Sequence, residues 1–245
     1  MVMKVLGIDI GGSAIKYGWM EGKGDLFGLD VLATPAPATP KRLANEVMAL
    51  SLRHDVPRIG VAFPAVVRHG VVGSHAHIDD SWLGVNGELL FSECTGKPVT
   101  LINDADAALL AEREWGVCRG VQGSVLYLTL GTGIGSAMMV DGRIWWNSEL
   151  GHLHLPRGLE AEAWAAASCR TAEDLDWAQW AARLNEVLSE LVRLCHPERM
   201  VLAGGIVSHF DTFAPYLNLP IPVIPSRLGN RAGLMGAALA AINAV

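Results

Sequence analysis

One pattern occurs twice in this chain. Val5-Leu6-Gly7-Ile8-Asp9-Ile10-Gly11-Gly12-Ser13-Ala14-Ile15-Lys16 and Val125-Leu126-Tyr127-Leu128-Thr129-Leu130-Gly131-Thr132-Gly133-Ile134-Gly135-Ser136 each pass from an apolar run, through a glycine-rich bend with a hydroxyl residue, into more strand-like residues. Buried strand, tight turn, second strand is the direct reading of both. Glycines let backbone N–H groups converge on an anion with no side chain in the way. One such turn in each half of the chain predicts two phosphate-gripping hairpins that face each other across a cleft. Phosphoryl transfer is mostly positioning and charge stabilisation, so this repeat points toward it.

The rest of the chain fits a duplicated layout. Residues 4–10, 14–20 and 26–33 read as a three-strand meander with turns at Gly11-Gly12 and Gly22-Lys23-Gly24-Asp25. A Pro-rich connector ends at Thr39, an N-cap candidate with Pro40 at the first helical position, and predicts a helix over 40–53. Strands follow at 59–63 and 99–102, then a helix opening at Asn103-Asp104. A second meander is expected near 124–130, 134–140 and 143–146, and a helical stretch over 159–195 broken near Thr171, with Thr171 as N-cap and Asp174 three residues on. A strand at 200–203 closes on Gly204-Gly205, and a small-residue helix ends the chain. Meander, crossover, and the same again make a duplicated α/β chain. The expected division is a small N-terminal lobe over 1–104, with the helix 232–245 packing back on it, and a larger lobe over 105–231.

Composition closes off other classes. The 245 residues are 51% hydrophobic and 18% charged with a net charge of −6, which is globular, and no Lys/Arg run invites duplex nucleic acid. Cys94, Cys118, Cys169 and Cys195 form no Cys-x-x-Cys pair, so a zinc or redox motif is not expected and reduced thiols in a cytoplasmic protein fit. A strand begins by residue 4, so a secretory leader is not expected. Residues 120–140 carry no charge, yet Gly123, Gly131, Gly133 and Gly135 and several polar residues make them strand–turn–strand, not a membrane helix.

Several residue groups carry chemistry. Asp9 stands at a strand end beside the Gly11-Gly12 turn, where a carboxylate suits Mg²⁺ through water, and Ser13 and Lys16 add a hydroxyl and a cation. Taken alone, that turn also reads as a plain tight hairpin. Gly131, Gly133 and Gly135, around Thr132, weaken a strand unless the backbone must approach a ligand closely. Asn103-Asp104 ends one strand and begins a helix, the usual position for ligands in open α/β sheets. Asp is also a good N-cap, and capping and catalysis are compatible. Glu149 and His152 place an acceptor and an imidazole close together, a pairing suited to sugar hydroxyls.

In this order, Ile8–Lys16, Asn103-Asp104-Ala105-Asp106-Ala107-Ala108, Leu130–Ser136 and Asn147-Ser148-Glu149-Leu150-Gly151-His152 resemble the ROK-family sugar kinases over nearly the whole chain. Within that family the polyphosphate-using glucokinases are the most similar, through Phe63-Pro64-Ala65-Val66-Val67-Arg68-His69-Gly70-Val71-Val72 and Ile78-Asp79-Asp80-Ser81-Trp82-Leu83. The resemblance implies a two-lobed α/β fold of the actin/hexokinase-like (ribonuclease H-like) type, with duplicated mixed sheets flanked by helices. It implies phosphorylation of glucose at its 6-hydroxyl, with Asp104 as catalytic base. Asn103, Asp104, Glu149, His152 and Glu162 take the sugar, Glu160 competing with Glu162. Asp9, Gly11, Gly12, Ser13, Lys16, Gly131, Thr132, Gly133 and Gly135 take phosphate and Mg²⁺, and Gly204-Gly205 receives nucleotide. Many relatives carry a cysteine-rich zinc site after the Gly-His pair. Here residues 153–170 hold only Cys169, so no zinc is expected. An N-terminal helix-turn-helix, as in ROK repressors, has no room, which argues against DNA binding.

The expectation is an Mg²⁺-dependent kinase using polyphosphate, and ATP as a further donor, on glucose. An ATP-only glucokinase or other hexose kinase is the near alternative, and a non-catalytic sugar-binding protein the distant one. A polyanionic donor needs a basic track, for which Lys16, Arg68, Arg119, Arg143, Arg157, Arg227 and Arg231 are candidates. The eight tryptophans, Trp145-Trp146 among them, fit either core packing or a dimer interface. The family resemblance favours a homodimer.

Overall fold

The computed structural model describes residues 3–22, 24–75 and 78–244. The turn expected at residues 22–25 includes Lys23, and the loop leading to Trp82 includes residues 76 and 77. These three residues lie outside the described ones. The chain forms strands β1 (Lys4–Ile10), β2 (Ala14–Glu21), β3 (Asp25–Ala33), β4 (Arg58–Phe63), β5 (Val67–Arg68), β6 (Val71–Val72), β7 (Val99–Asn103), β8 (Ser124–Leu130), β9 (Ile134–Val140), β10 (Arg143–Trp145), β11 (Arg199–Ala203) and β12 (Val223–Pro225). Its helices are α1 (Pro40–Arg53), α2 (Gly87–Thr95), α3 (Asp104–Trp115), α4 (Ala161–Ala165), α5 (Ala167–Ala172), α6 (Trp177–Cys195), α7 (Phe210–Phe213) and α8 (Ala232–Asn243). The chain divides into two compact units: one runs up to Ala111 and resumes at Arg231, the other is Glu112–Asn230. The division falls inside α3.

The first unit is built on a five-stranded sheet in the order β3-β2-β1-β4-β7. β1, β2 and β3 are antiparallel, and β4 and β7 run parallel to β1. Val5, Leu6, Ile8 and Ile10 of β1 are all fully buried, as expected of a central strand covered on both faces. α1 begins at Pro40 as its sequence predicts and buries Leu43, Val47 and Leu50 at helical spacing. α2 was not foreseen. Asn86 caps it by accepting the Leu89 N–H, and Gly96 ends it in the left-handed conformation, so its signals lay in the caps and not in a strong apolar period.

α8 covers the other face. Nine of its 12 residues are buried, and six of the nine are Gly or Ala. The small residues let the helix backbone press on the sheet: a Cβ at Gly60 of β4 would overlap the Ala237 carbonyl. Sequence distance of more than 170 residues is thus bridged by backbone-to-backbone packing.

The second unit repeats the plan in the order β10-β9-β8-β11-β12, with β8, β9 and β10 antiparallel and β11 and β12 parallel to β8. Its core joins Leu126, Leu128, Met200 and Leu202 from the sheet to Trp180, Leu184, Val187, Leu188 and Leu191 of α6. The break in the helical stretch differs from the expected one. Thr171 lies within α5, and Asp176 is the N-cap of α6. Asp176 accepts from Gln179 N–H and the Gln179 side chain accepts from Asp176 N–H, a reciprocal pair that Thr171 and Asp174 do not form. Glu112, fully buried, accepts from the N–H groups of Val117 at 2.8 Å and Leu228 at 2.7 Å, tying the end of α3 to the segment that leads toward α8. Among the described residues, no helix is long and apolar enough to cross a membrane.

Gly60→Ala is expected to destabilise the protein by at least about 2 kcal/mol, because a helix backbone cannot yield as a side chain does. Urea unfolding checks this, and an unchanged midpoint would mean that α8 does not bear on β4.

Candidate functional site

In the first unit the candidate residues gather at the carboxyl ends of β1, β4 and β7. Asp9 pairs across to Ala62, Ala62 to Ile102, and Phe63 to Asn103. Asp9 and the Asn103-Asp104 pair therefore stand at one end of the sheet, two strand spacings or roughly 10 Å apart. Asn103 is buried. Its Oδ1 accepts from the N–H groups of Ala105 at 2.9 Å and Asp106 at 3.0 Å, and its Nδ2 donates to the Ala65 carbonyl at 3.1 Å. Asn103, not Asp104, thus caps α3 and also fixes the loop after β4. One hydrogen of its amide remains for another acceptor. Asp104 is half-buried at the first helical position, where its Oδ1 accepts from the Ala105 N–H at 2.8 Å.

The first glycine turn is held from outside. Gly11 N–H donates to Ala14 at 3.0 Å, and the Thr34 hydroxyl donates to the Gly11 carbonyl at 2.6 Å. Gly12 and Ser13 are exposed, and among the described residues nothing accepts their N–H groups. Lys16 stands opposite Asp9 across the hairpin, with Nζ 3.1 Å from Oδ2. The hairpin register dictates that ion pair, which the sequence reading missed. Gly233, at the start of α8, lies against the Asp9 carboxylate, and a Cβ there would come within 2.8 Å of Cγ. One carboxylate with two oxygens beside open N–H groups fits Mg²⁺, which keeps several waters and takes its remaining ligands from phosphate.

The second unit carries the matching parts. Gly131 N–H donates to Gly133 at 3.0 Å, while Ser168 braces the turn through its N–H to Gly131 at 3.0 Å and its hydroxyl to the Thr132 carbonyl at 2.7 Å. Among the described residues nothing accepts the N–H groups of Thr132 and Gly133. Gly135 lies inside β9, paired with Thr129, and not in the turn. Gly204 follows β11, whose Ala203 pairs with Thr129, and a Cβ on Gly204 would meet the Leu130 carbonyl. Gly204-Gly205 therefore lies beside the second turn.

Buried Ser136 of β9 positions the next group. Its hydroxyl donates to the Ser148 carbonyl at 2.9 Å and accepts from Leu150 N–H at 2.8 Å, fixing the residues on either side of Glu149. A one-turn 3-10 helix, Leu150–His152, follows. The His152 imidazole stands among three carboxylates: Nε2 is 3.9 Å from Glu149, and Nδ1 is 3.6 Å from both Glu160 and Glu162. Glu162 also accepts the Ile134 N–H at 3.3 Å, which links it to the end of the second turn. Glu162 is the less exposed of the two, 16% against 39% for Glu160. Among the described residues, His152, Glu160 and Glu162 are also a trio whose ligand atoms lie within 4.8 Å of one another, close enough to surround a cation.

Of the proposed basic track, Arg157 is paired with Glu186 and Lys16 with Asp9. Trp180 and Trp82 are core residues, whereas Trp145 and Trp146 are exposed.

Residues 5–169 match the family described as ROK family. A protein of Mycobacterium tuberculosis (strain CDC 1551 / Oshkosh) named polyphosphate glucokinase is 41% identical over 243 residues, covering 96% of this chain and 90% of the relative. The crystal structure of an inorganic polyphosphate/ATP-glucomannokinase from Arthrobacter sp. strain KM superposes with a TM-score of 0.94 at 40% identity, over 99% of this chain and all of that one. A ROK family glucokinase from Streptomyces griseus, in complex with glucose and AMPPNP, has a TM-score of 0.82 at 22% identity, covering 99% of this chain and 100% of that one. The last is a likeness of fold, the mixed α/β arrangement of actin/hexokinase-like proteins.

Ser136→Ala is expected to cost about 1–3 kcal/mol, since it leaves buried partners unsatisfied. Equal stability in urea would show that the segment around Glu149 is held by other contacts.

Proposed function

Because the chain belongs to the ROK family, we propose that it is a kinase that moves a phosphoryl group from inorganic polyphosphate, and from ATP as a second donor, to the 6-hydroxyl of glucose. The names of the M. tuberculosis and Arthrobacter relatives support both the sugar and the donors. The observation that carries the chemistry is Asp104, half-buried on the first turn of α3, its Oδ1 on the Ala105 N–H and the helix start around it fixed by the Asn103 amide. A carboxylate held there can accept the hydroxyl proton as the new P–O bond forms.

The remaining roles follow from where each group stands. Asn103 offers its second amide hydrogen to a sugar hydroxyl. Glu149, His152 and Glu162 read further hydroxyls, with Glu160 behind the imidazole. Gly12, Ser13 and Lys16 on one hairpin, and Thr132 and Gly133 on the other, supply donors to phosphate oxygens, where charge develops in the transition state, while Gly11 and Gly131 close the turns. Gly204-Gly205 takes the nucleotide when ATP is the donor. Asp9 would hold Mg²⁺ through water, and the ion when bound supplies charge neutralisation on the phosphates. Zinc has no place in this reading.

The same reading includes a homodimer, for which exposed Trp145 and Trp146 at the β10 edge are the candidate surface. Sedimentation of wild type should give a dimer and of Trp145→Ser a larger share of monomer; a monomeric wild type refutes it.

Asp104→Asn should lower turnover by about 10²–10⁴-fold while glucose binding by calorimetry changes by less than about threefold. Turnover close to wild type would remove Asp104 from the base role. Wild type assayed with each donor alone should turn over with both; activity with ATP alone would refute the polyphosphate half.

A further inference from the structure

We propose that Arg170 binds the phosphate chain of the donor beyond the second glycine turn and so determines the use of polyphosphate. This rests on the kinase reading above. Two segments flank that turn. α5 is anchored to it by Ser168, and the 3-10 helix Gly205–His209 leaves from beside it at Gly204. They meet again at Trp177. The Arg170 guanidinium lies over the Trp177 ring, 3.7 Å from its centroid, and the His209 ring is 5.0 Å from the same indole. From Gly205 to His209 the 3-10 helix advances roughly 8 Å. Arg170 follows Ser168 by two residues, and it shares the Trp177 indole with a histidine at the far end of that 3-10 helix.

Among the described residues of its unit, Arg170 differs from the other arginines that lie over an indole, Arg157 and Arg183. Arg157 is neutralised by Glu186, Arg183 by Glu173 and Arg193 by Glu190. Arg170 has no carboxylate within ion-pair distance among the described residues, and its Nε is sealed from solvent without a hydrogen-bond partner. Stacking on Trp177 holds the guanidinium plane without cancelling its charge. A flat, pre-oriented, un-neutralised guanidinium matches phosphate oxygens in pairs. Polyphosphate carries charge at every unit. In a nucleotide the charge ends at the third phosphate, and ribose and base follow. A guanidinium that meets units beyond the third phosphate would serve the inorganic chain and not ATP.

The test compares wild type, Arg170→Gln and Arg170→Lys in initial rates with long-chain polyphosphate and with ATP, at saturating glucose. Arg170→Gln is expected to raise KM for polyphosphate about tenfold and KM for ATP less than about twofold, with Arg170→Lys in between. Arg193→Gln, elsewhere on the same unit, serves as control. Calorimetric glucose binding verifies that each variant is folded. An unchanged polyphosphate KM overturns the proposal, and so does an equal rise for both donors, which would mark a structural role through Trp177. Should ATP support no turnover, inorganic tripolyphosphate as competitive inhibitor becomes the short-chain arm, with the same expected and contrary outcomes. A wild type inactive with polyphosphate defeats the donor reading itself and the proposal with it, and is seen before any variant is made.

Discussion

One buried amide holds the first unit's chemistry in place. Asn103 reaches back to the Ala65 carbonyl with its nitrogen and forward to two α3 N–H groups with its oxygen. Strand end, neighbouring loop and helix start are thereby fastened at one point. A helix start leaves N–H groups without partners, and a buried one must find them. Asn103 meets most of that need from inside the strand, and the next residue, Asp104, is half-buried with its Oδ1 on the Ala105 N–H. In the proposed mechanism, capping and proton abstraction fall on adjacent residues.

The glycine turns show a second device, and both units use it. A turn open enough to present N–H groups to an anion lacks side chains of its own to stiffen it. Thr34 supplies a hydroxyl to the Gly11 carbonyl, and Ser168 does the same for Thr132. In each case the brace binds carbonyl oxygens and leaves the N–H side open. Both braces come from segments that follow the hairpin by some distance in the chain, so the duplicated layout extends to the way its turns are supported. Ser136 plays the equivalent part for Glu149, holding the flanking backbone and not the carboxylate.

Much of this was legible in the sequence, because it was local. Apolar runs gave the strands of both meanders, Thr39-Pro40 the start of α1, and the glycine bends the turns. What escaped was set by contacts between distant segments. Thr171, with Asp174 three residues on, was the expected start of α6, but the cap formed at Asp176, which has Gln179 three residues on. Glu160 and Glu162 could not be separated by position, and the fold brings both to the same imidazole nitrogen. Arg170 attracts no notice in a list of arginines until Trp177 is seen beneath it and the carboxylates of its neighbours are seen elsewhere. The Asp9–Lys16 pair, by contrast, was available from the hairpin register and was overlooked.

The account turns on Asp104 meeting the sugar oxygen that is to be phosphorylated. A crystal structure of the wild-type protein with glucose measures that contact directly. The account predicts the 6-hydroxyl oxygen at hydrogen-bond distance, about 2.6–3.2 Å, from an Asp104 carboxylate oxygen. Glucose bound with a different hydroxyl against Asp104, or seated away from it, would contradict the account.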